Sequence, residues 1–162
     1  MTEANESNTQ PNFSIQKIFV KDVSFESPNT PEIFLDQDWQ PDVNLNLQTQ
    51  SRQLAEDIYE VVLHITVTAK LDDEKIAYLV EVQQAGIFNV TNFSEEDVTY
   101  MLGSYTPNVL FPFAREVIAD LVSKGGFPQM LVAPVNFDAL FQKQIQEQQS
   151  NTAESEAEPE QA

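Results

Sequence analysis

The first half of the chain consists of runs in which apolar and polar residues alternate, and these predict β-strands. The first run covers residues 13–26 and ends at a loop with two prolines, residues 27–31. One face of this run would carry Phe13, Ile15, Lys17, Phe19, Lys21, Val23 and Phe25. Further strands are expected over residues 43–47, 58–71 and 76–88. Consecutive strands with no helix between them predict an antiparallel sheet.

The second half carries helix signals instead. Ser94, followed by Asp97 three residues later, resembles a capping box at a helix start. We expect this helix to be short, because Gly103 and Pro107 would interrupt it, and a longer helix to cover residues 114–123. Strands followed by helices predict an α+β fold with a four-stranded antiparallel sheet and helices on one face.

A last helix is expected from about Asn136. Its apolar stripe would be formed by Phe137, Leu140, Phe141 and Ile145. From residue 148 onward the chain is rich in Gln, Glu and Ser and nearly devoid of apolar residues. Such a segment buries too little apolar surface to offset its ordering entropy, so residues 148–162 are expected to be a disordered acidic tail. Residues 1–12 are expected to be disordered too, which leaves 13–147 as one domain.

Apolar side chains occur on both faces of the two longest strands. Val62 would point away from its neighbours Val61 and Leu63, and Leu79 away from Tyr78 and Val80. A sheet with helices on one face exposes the other face to water. An apolar second face therefore indicates a partner sheet, and we expect the chain to self-associate.

The negative net charge of the chain limits the classes of partner that it can bind. The chain has 26 Asp+Glu against 8 Lys+Arg, and all 8 cations lie between the two acidic ends, in a body that is itself acidic. Nucleic acids and anionic lipid surfaces require clustered Lys and Arg, so neither is expected as a partner. The absence of cysteine, of a signal peptide and of a long apolar run predicts a cytoplasmic protein without membrane insertion.

The sequence offers no set of residues for catalysis. His64 is the single histidine and lies within a predicted strand, without a cysteine or serine motif to support it. The 4 glycines form no phosphate-cradling pattern. We therefore expect no enzymatic activity, no metal and no cofactor.

Several short motifs, taken together, point to a family. In chain order they are Phe25-Glu26-Ser27-Pro28-Asn29, Asp38-Trp39-Gln40-Pro41, Tyr59-Glu60-Val61-Val62-Leu63, Glu81-Val82-Gln83-Gln84, Gly86-Ile87-Phe88, Leu110-Phe111-Pro112-Phe113-Ala114-Arg115-Glu116 and Pro134-Val135-Asn136-Phe137-Asp138-Ala139-Leu140-Phe141. This series closely resembles the SecB family of bacterial protein-export chaperones over roughly residues 13 to 145.

The resemblance implies an ATP-independent chaperone of the bacterial cytosol. Such a chaperone holds unfolded precursor proteins in a translocation-competent state and passes them to the translocation ATPase SecA. The resemblance also implies a homotetramer built as a dimer of dimers, which would account for the apolar second face. It implies no cofactor for this chain.

Four positions match the family's docking surface for SecA: Asp22, Glu26, Leu79 and Glu81. Asp22 and Glu26 would share one face of the first strand, and Leu79 and Glu81 would share one face of the fourth. An acidic patch with an apolar neighbour suits a basic partner. In the family this partner is a zinc-binding segment at the SecA C-terminus, so the zinc would belong to SecA.

Two further sets of residues are assigned. The resemblance places Val80, Val82 and Gln84 near the contact between dimers. Client binding requires adaptable apolar surface. The candidates are Phe34 and Trp39 in the connector between the first and second strands, Val43, Leu45 and Leu47 in the second strand, and Tyr59 opposite them.

Two alternatives stay open. One is a SecB-like chaperone that has a general role or serves a toxin–antitoxin pair, and the matching docking acids favour export over it. The other is a small-ligand-binding or enzymatic α+β domain that uses buried carboxylates. The lack of convergent motifs in the sequence argues against this second alternative.

Overall fold

The sheet has four strands, as the sequence predicts. The computed structural model describes residues 9–35, 38–72 and 75–156. Its strands are β1 (Asn12–Glu26), β2 (Asp42–Ala55), β3 (Ile58–Lys70) and β4 (Ile76–Thr91). They pair in the order β1-β4-β3-β2, and every pairing is antiparallel. Because β1 and β2 lie at opposite edges, the connector between them crosses one end of the sheet.

The second strand is much longer than the predicted run of residues 43–47. β2 continues through the polar residues 48–53 and stays paired with β3 along its whole length. Its continuation has no apolar alternation, because an edge strand is held by backbone hydrogen bonds and its side chains remain in water.

The predicted faces of β1 are wrong. Two register shifts interrupt its pairing with β4, between Ile15 and Lys17 and between Val20 and Asp22. Each bulge adds one unpaired residue and inverts the alternation that follows it. The helix-facing residues of β1 are therefore Phe13, Ile15, Ile18, Val20, Val23 and Phe25, as their partners on β4 show.

The helices come after the four strands along the chain. They are α1 (Glu95–Tyr100), one π-helical turn (Met101–Tyr105), α2 (Thr106–Lys124) and α3 (Phe137–Glu156). Ser94 caps α1, since its hydroxyl accepts a hydrogen bond from the Asp97 N–H at 3.2 Å. Asn136 caps α3 by accepting from the Ala139 N–H at 3.0 Å. These two predicted helix starts are confirmed, whereas the longer helix predicted over residues 114–123 begins earlier, at Thr106.

The expected breaks at Gly103 and Pro107 are wrong, because helix runs without interruption from Glu95 to Lys124. Pro107 lies in the first turn of α2, directly after the wider π-turn, where its missing N–H is tolerated. Gly103 serves close packing, since a Cβ there would lie 2.5 Å from the Phe141 ring of α3. No helix in the described ranges is long and apolar enough to cross a bilayer.

The core lies between the sheet and α2. Alternate residues of β3 and β4 are buried beneath the helix, which contacts both strands through Leu110, Ala114 and Ile118. Each large apolar side chain buried in this way contributes roughly 1.5–3 kcal/mol. The α+β fold with helices on one face of the sheet is confirmed.

The opposite face of the sheet, here called the outer face, is more polar than predicted. Beside Val62 and Leu79 it carries Thr66, Glu81 and Gln83, whose strand partners lie on the same side. The expected apolar residues Val62 and Leu79 do lie on this face, but polar residues lie among them, so the second face is mixed and not uniformly apolar.

The C-terminal part of the chain also differs from expectation. α3 does not end near residue 147 but continues to Glu156, through residues assigned above to a disordered tail. Gln, Glu and Ala are good helix formers, and helical hydrogen bonds need no tertiary partner. Residues 1–8 and 157–162, to which disorder was also assigned, lie outside the described residues.

Candidate functional site

The four predicted docking residues converge on the outer face. Glu26 is paired with Leu79 and Ser24 with Glu81. Asp22 is paired with Gln83 in the next row, where a row means the residues that lie side by side across the strands. Asp22 and Glu26 are exposed, and Leu79 and Glu81 are half-buried. Because paired residues of adjacent strands project to the same side, the three carboxylates surround one leucine. We call Asp22, Glu26, Leu79 and Glu81 the acidic patch.

An aromatic cluster lies on the helix-facing side, at the end of the sheet that the connector crosses. Phe127 is its centre, with ring centroids 5.0 Å from Phe34, 5.5 Å from Trp39 and 5.1 Å from Tyr78. Tyr78 is buried and Trp39 is half-buried, whereas Phe34 remains 48% exposed. Tyr78 donates a hydrogen bond to the Met130 Sδ at 3.2 Å, and burial raises its pKa. The cluster thus has a fixed inner layer and an accessible rim.

The apolar residues of β2 extend this surface. Val43, Leu45 and Leu47 are paired with Ala69, Val67 and Ile65 and so lie on the helix-facing side. Val43 is exposed and the two leucines are half-buried. Beyond Leu47 a cleft of about 210 Å³ opens between β2 and α3, lined also by Leu140 and Phe141. We call this surface, from Phe34 to Leu140, the apolar track.

Tyr59 does not belong to the apolar track. It is paired with Gln53 and Phe88, at the opposite end of the sheet from Ala69 and Val43. The ten residues that separate Tyr59 from Ala69 along β3 correspond to about 33 Å. The expectation that Tyr59 lies opposite the other client-binding candidates is wrong, because Tyr59 is at the far end of β3 from them.

The wall formed by α3 is anchored at its first turn. The Asp138 carboxylate accepts hydrogen bonds from the Ser104 hydroxyl and from the Tyr100 hydroxyl, the latter at 2.8 Å. These two bonds lower the pKa of Asp138, which stays ionised at neutral pH. Phe137 adds an edge-to-face contact with Phe111 at 5.7 Å. These contacts fix the start of α3 beside the cleft.

Val80, Val82 and Gln84 lie in the interior of the chain. Their side chains are 0%, 0% and 2% exposed beneath α2, so none of them presents a surface to another copy. Their partners on β1, however, are Phe25, Val23 and Val20. These three residues can therefore affect assembly only through the neighbours that they support.

Those neighbours belong to an exposed strip. Ile15 is 47%, Val20 46% and Val23 38% exposed on β1, and Phe113 is 44% exposed on α2. α2 runs beside β1, with Tyr105 against Phe13 at one end and Gly125 near Phe25 at the other. Phe111 contacts α3, and Phe113, two positions later, lies about 200° around the helix from it and so on the side away from α3. We call Ile15, Val20, Val23 and Phe113 the apolar strip.

A buried carboxylate occupies the outer face beyond the acidic patch. Glu60 is 7% exposed and accepts hydrogen bonds from the Arg52 Nε at 2.9 Å and from the Lys21 Nζ at 3.2 Å. The Arg52 bond, with a smaller contribution from Lys21, outweighs desolvation and lowers the pKa of Glu60. The three side chains form a charged cluster at the edge of a shallow cavity.

This cluster predicts a pH dependence of stability. Since the folded-state pKa of Glu60 lies below 4.5, its ionised form stabilises the fold above that value. This contribution is lost as the pH falls through the folded pKa. Replacing Glu60 by Gln should cost about 1 kcal/mol at pH 7. The difference from the unaltered protein should shrink as the pH is lowered from 5 to 3.

Urea unfolding of both proteins at a fixed chain concentration measures this difference. Glu56→Gln, in the exposed turn between β2 and β3, is the matched control and should change stability little at any pH. A difference for Glu60→Gln that stays constant between pH 7 and pH 3 would contradict the assignment.

The described residues hold no group of three or more His, Asp or Glu side chains placed to bind a metal ion. His64 lies half-buried on the outer face between Gln48 and Gln83. The hydrogen bonds described above lower the pKa of Asp138 and of Glu60 and hold both carboxylates in place.

The sequence did not predict that the loop after α2 contributes to the aromatic cluster. Phe127 and Met130 come from residues 127–136, which have no regular secondary structure, and Leu131 beside them is 71% exposed. Apolar residues in a loop that opens with Gly126 and Pro128 were a signal that this segment contributes a surface. Phe127 contacts Phe34 and Trp39, which lie 93 and 88 residues earlier in the chain, and no local pattern predicts this contact.

The fold and surfaces define an α+β protein with a continuous apolar track on one side of its sheet and an acidic patch on the other. Comparison with known proteins supplies the family. Residues 6–148 match the family described as preprotein translocase subunit SecB. The chain is 57% identical to the protein-export protein SecB of Nitrosococcus oceani over 149 residues, which cover 91% of this chain and 90% of that protein. It belongs to the SecB family.

A solved structure shares the fold. The SecB-like chaperone of Mycobacterium tuberculosis, in complex with a ChAD peptide from the HigA1 antitoxin, superposes with a TM-score of 0.64. The match covers 76% of this chain and 90% of that one, at 13% sequence identity. At this identity the comparison supports the architecture alone.

Proposed function

We propose that this chain is an ATP-independent export chaperone of the cytoplasm that holds unfolded precursor proteins on its apolar track and delivers them to SecA. Membership of the SecB family establishes the chaperone role in protein export and places the chain among chaperones instead of enzymes. Client binding at the track, docking of SecA and assembly as a tetramer are the proposed parts.

The register of β1 with β4 carries the docking proposal. It brings three carboxylates and Leu79 together on a face that no helix covers. Such a patch attracts a basic partner from a distance, and its leucine adds apolar contact once the partner has docked. Clients on the apolar track and SecA on the acidic patch would then occupy opposite sides of the sheet, so that both can be bound at once.

The apolar track suits clients without a common sequence. Its rim is formed by the exposed side chains of Phe34 and Leu131, over a buried layer that contains Phe127. Such a surface can adapt to many apolar segments, because it has no pocket that is complementary to one particular sequence. Val43 and Leu47 would continue contact with an extended client for roughly 13 Å along β2.

Native mass spectrometry tests the proposal as a whole. We expect a species of four 18.3 kDa chains that gains an unfolded, reduced precursor without ATP. Failure to bind the unfolded precursor would contradict the holding role. A tetramer that holds precursor but does not bind SecA would favour a SecB-like chaperone outside the export pathway.

Assembly is proposed to use the apolar strip. Replacing Phe113 by Glu should shift the tetramer to smaller species, because each new interface would bury a charge without a partner. The position is 44% exposed, so the chain itself should keep its fold. Native mass spectrometry together with circular dichroism measures both properties.

Leu54→Glu is the matched control, since Leu54 is 43% exposed but lies at the far end of β2, away from the strip. Only the Phe113 variant should dissociate. Equal dissociation of the two variants, or of neither, would contradict assembly through the strip.

A further inference from the structure

The outer face has a second charged region, and its charge is opposite to that of the acidic patch. One row across the sheet contains Lys17, Ile87, Glu60 and Arg52, which the strand pairings align on the same side. Lys21 joins this row because the bulge beside it lets its amine reach Glu60. Three of the 8 cations of a chain with net charge −18 thus lie in or beside one row, and two of them bind the Glu60 carboxylate. We call Lys17, Lys21, Arg52 and Glu60 the basic end.

The basic end retains groups that can bind a carboxylate. Glu60 engages Lys21 and the Nε of Arg52, while the terminal Nη groups of Arg52 form no hydrogen bond within the described residues. Lys17 is exposed and likewise has no ion pair there. Glu60 holds the stem of Arg52 in place, so its free Nη groups need little further ordering to form charge-assisted hydrogen bonds.

The two charged regions are continuous. The row between them contains Phe19, Ala85, Val62 and Gln50, where Phe19 and Val62 are half-buried and Ala85 is buried. Leu79 of the acidic patch and Ile87 of the basic end are eight residues apart on β4, which corresponds to about 27 Å. The outer face is therefore a strip with an acidic region, a short apolar region and a basic region.

We propose that this whole strip is one docking surface, and that the partner segment seated on the acidic patch continues along β4 and places carboxylates over Lys17 and Arg52. The inference rests on the proposed docking of SecA and adds the chemistry of the segment that docks. This segment carries basic residues at one end, an apolar side chain in the middle and acidic residues at the other end. Opposite charges at the two ends of the surface fix the direction in which it binds.

Binding of full-length SecA to the unaltered assembly and to Lys17→Glu tests the inference. Calorimetry at low and at high salt measures the affinity. Lys17 makes no contact that the fold requires, so the variant should assemble normally. We expect about a fivefold loss of affinity at low salt, which fades at high salt. Lys124→Glu, at the end of α2, makes the same change in net charge and should alter the affinity less than twofold.

Three outcomes separate this inference from the docking proposal on which it rests. An equal effect of Lys17→Glu and Lys124→Glu, or tighter binding to Lys17→Glu, would overturn the inference. If Asp22→Lys with Glu81→Lys abolishes binding in the same series, docking at the acidic patch still stands. If SecA binds that double variant normally, both proposals fail.

Discussion

Replacing Asp22 and Glu81 together by lysine is expected to lower the affinity for SecA about a hundredfold, because two attractive charges become repulsive to a basic partner. Asp22 is exposed and Glu81 is half-buried beside Leu79, and neither has an ion pair within the described residues. The fold should therefore tolerate the change. Calorimetric titration with SecA gives the affinity, and native mass spectrometry gives the assembly state and client binding.

A control is needed because the double variant also raises the net charge of a strongly acidic chain. Glu56→Lys with Glu147→Lys makes the same change at two exposed positions outside the acidic patch. We expect this control to keep nearly the full affinity for SecA. If the two double variants weaken binding equally, the effect comes from net charge and the assignment of the patch is wrong.

Replacing Phe34 by Ala is expected to weaken the binding of an unfolded precursor about tenfold, since exposed aromatic side chains at the rim of a fixed cluster carry much of the affinity of such surfaces. The Phe34 ring is 48% exposed and rests on Phe127. SecA affinity and assembly should not change, because the acidic patch lies on the other side of the sheet.

Leu54→Ala removes a side chain of similar exposure, 43%, outside the apolar track. Competition between a labelled, reduced precursor and unlabelled client measures both variants, and thermal unfolding verifies the fold. Unchanged binding by Phe34→Ala would place the client elsewhere. If both variants lose affinity for the precursor equally, any exposed apolar side chain can bind the client and the apolar track has no special role.

The sheet could be predicted from the sequence because its signal is local. Alternation along residues 58–71 and 76–88 marks strands whichever partners they have, and the polar turn at 71–75 makes them neighbours. The caps Ser94 and Asn136 were equally visible, because a helix start depends on the few residues around it.

The bulges of β1 could not be predicted in this way. They arise from pairing with β4. They turn Ile18 and Val20 toward the helix-facing side of the sheet, and Lys21 beside the second bulge reaches Glu60. The helix breaks predicted at Gly103 and Pro107 were wrong for the same reason, since the outcome depended on tertiary contacts. Their local propensity breaks helices, but close packing against Phe141 and an adjacent π-turn accommodate them.

The sequence by itself determined the fold class and the acidity, because each depends on residue type and on local pattern. The four residues of the acidic patch were assigned through the family resemblance, and their place as a docking surface stays a prediction. Only the tertiary structure decided which residues meet across strands. It brought Phe127 to Phe34 and Trp39, separated Tyr59 from them by the length of β3, and aligned Lys17 with Arg52 across the sheet. The physical reason is that register between strands is set by bulges, turns and packing, and no single stretch of sequence encodes it.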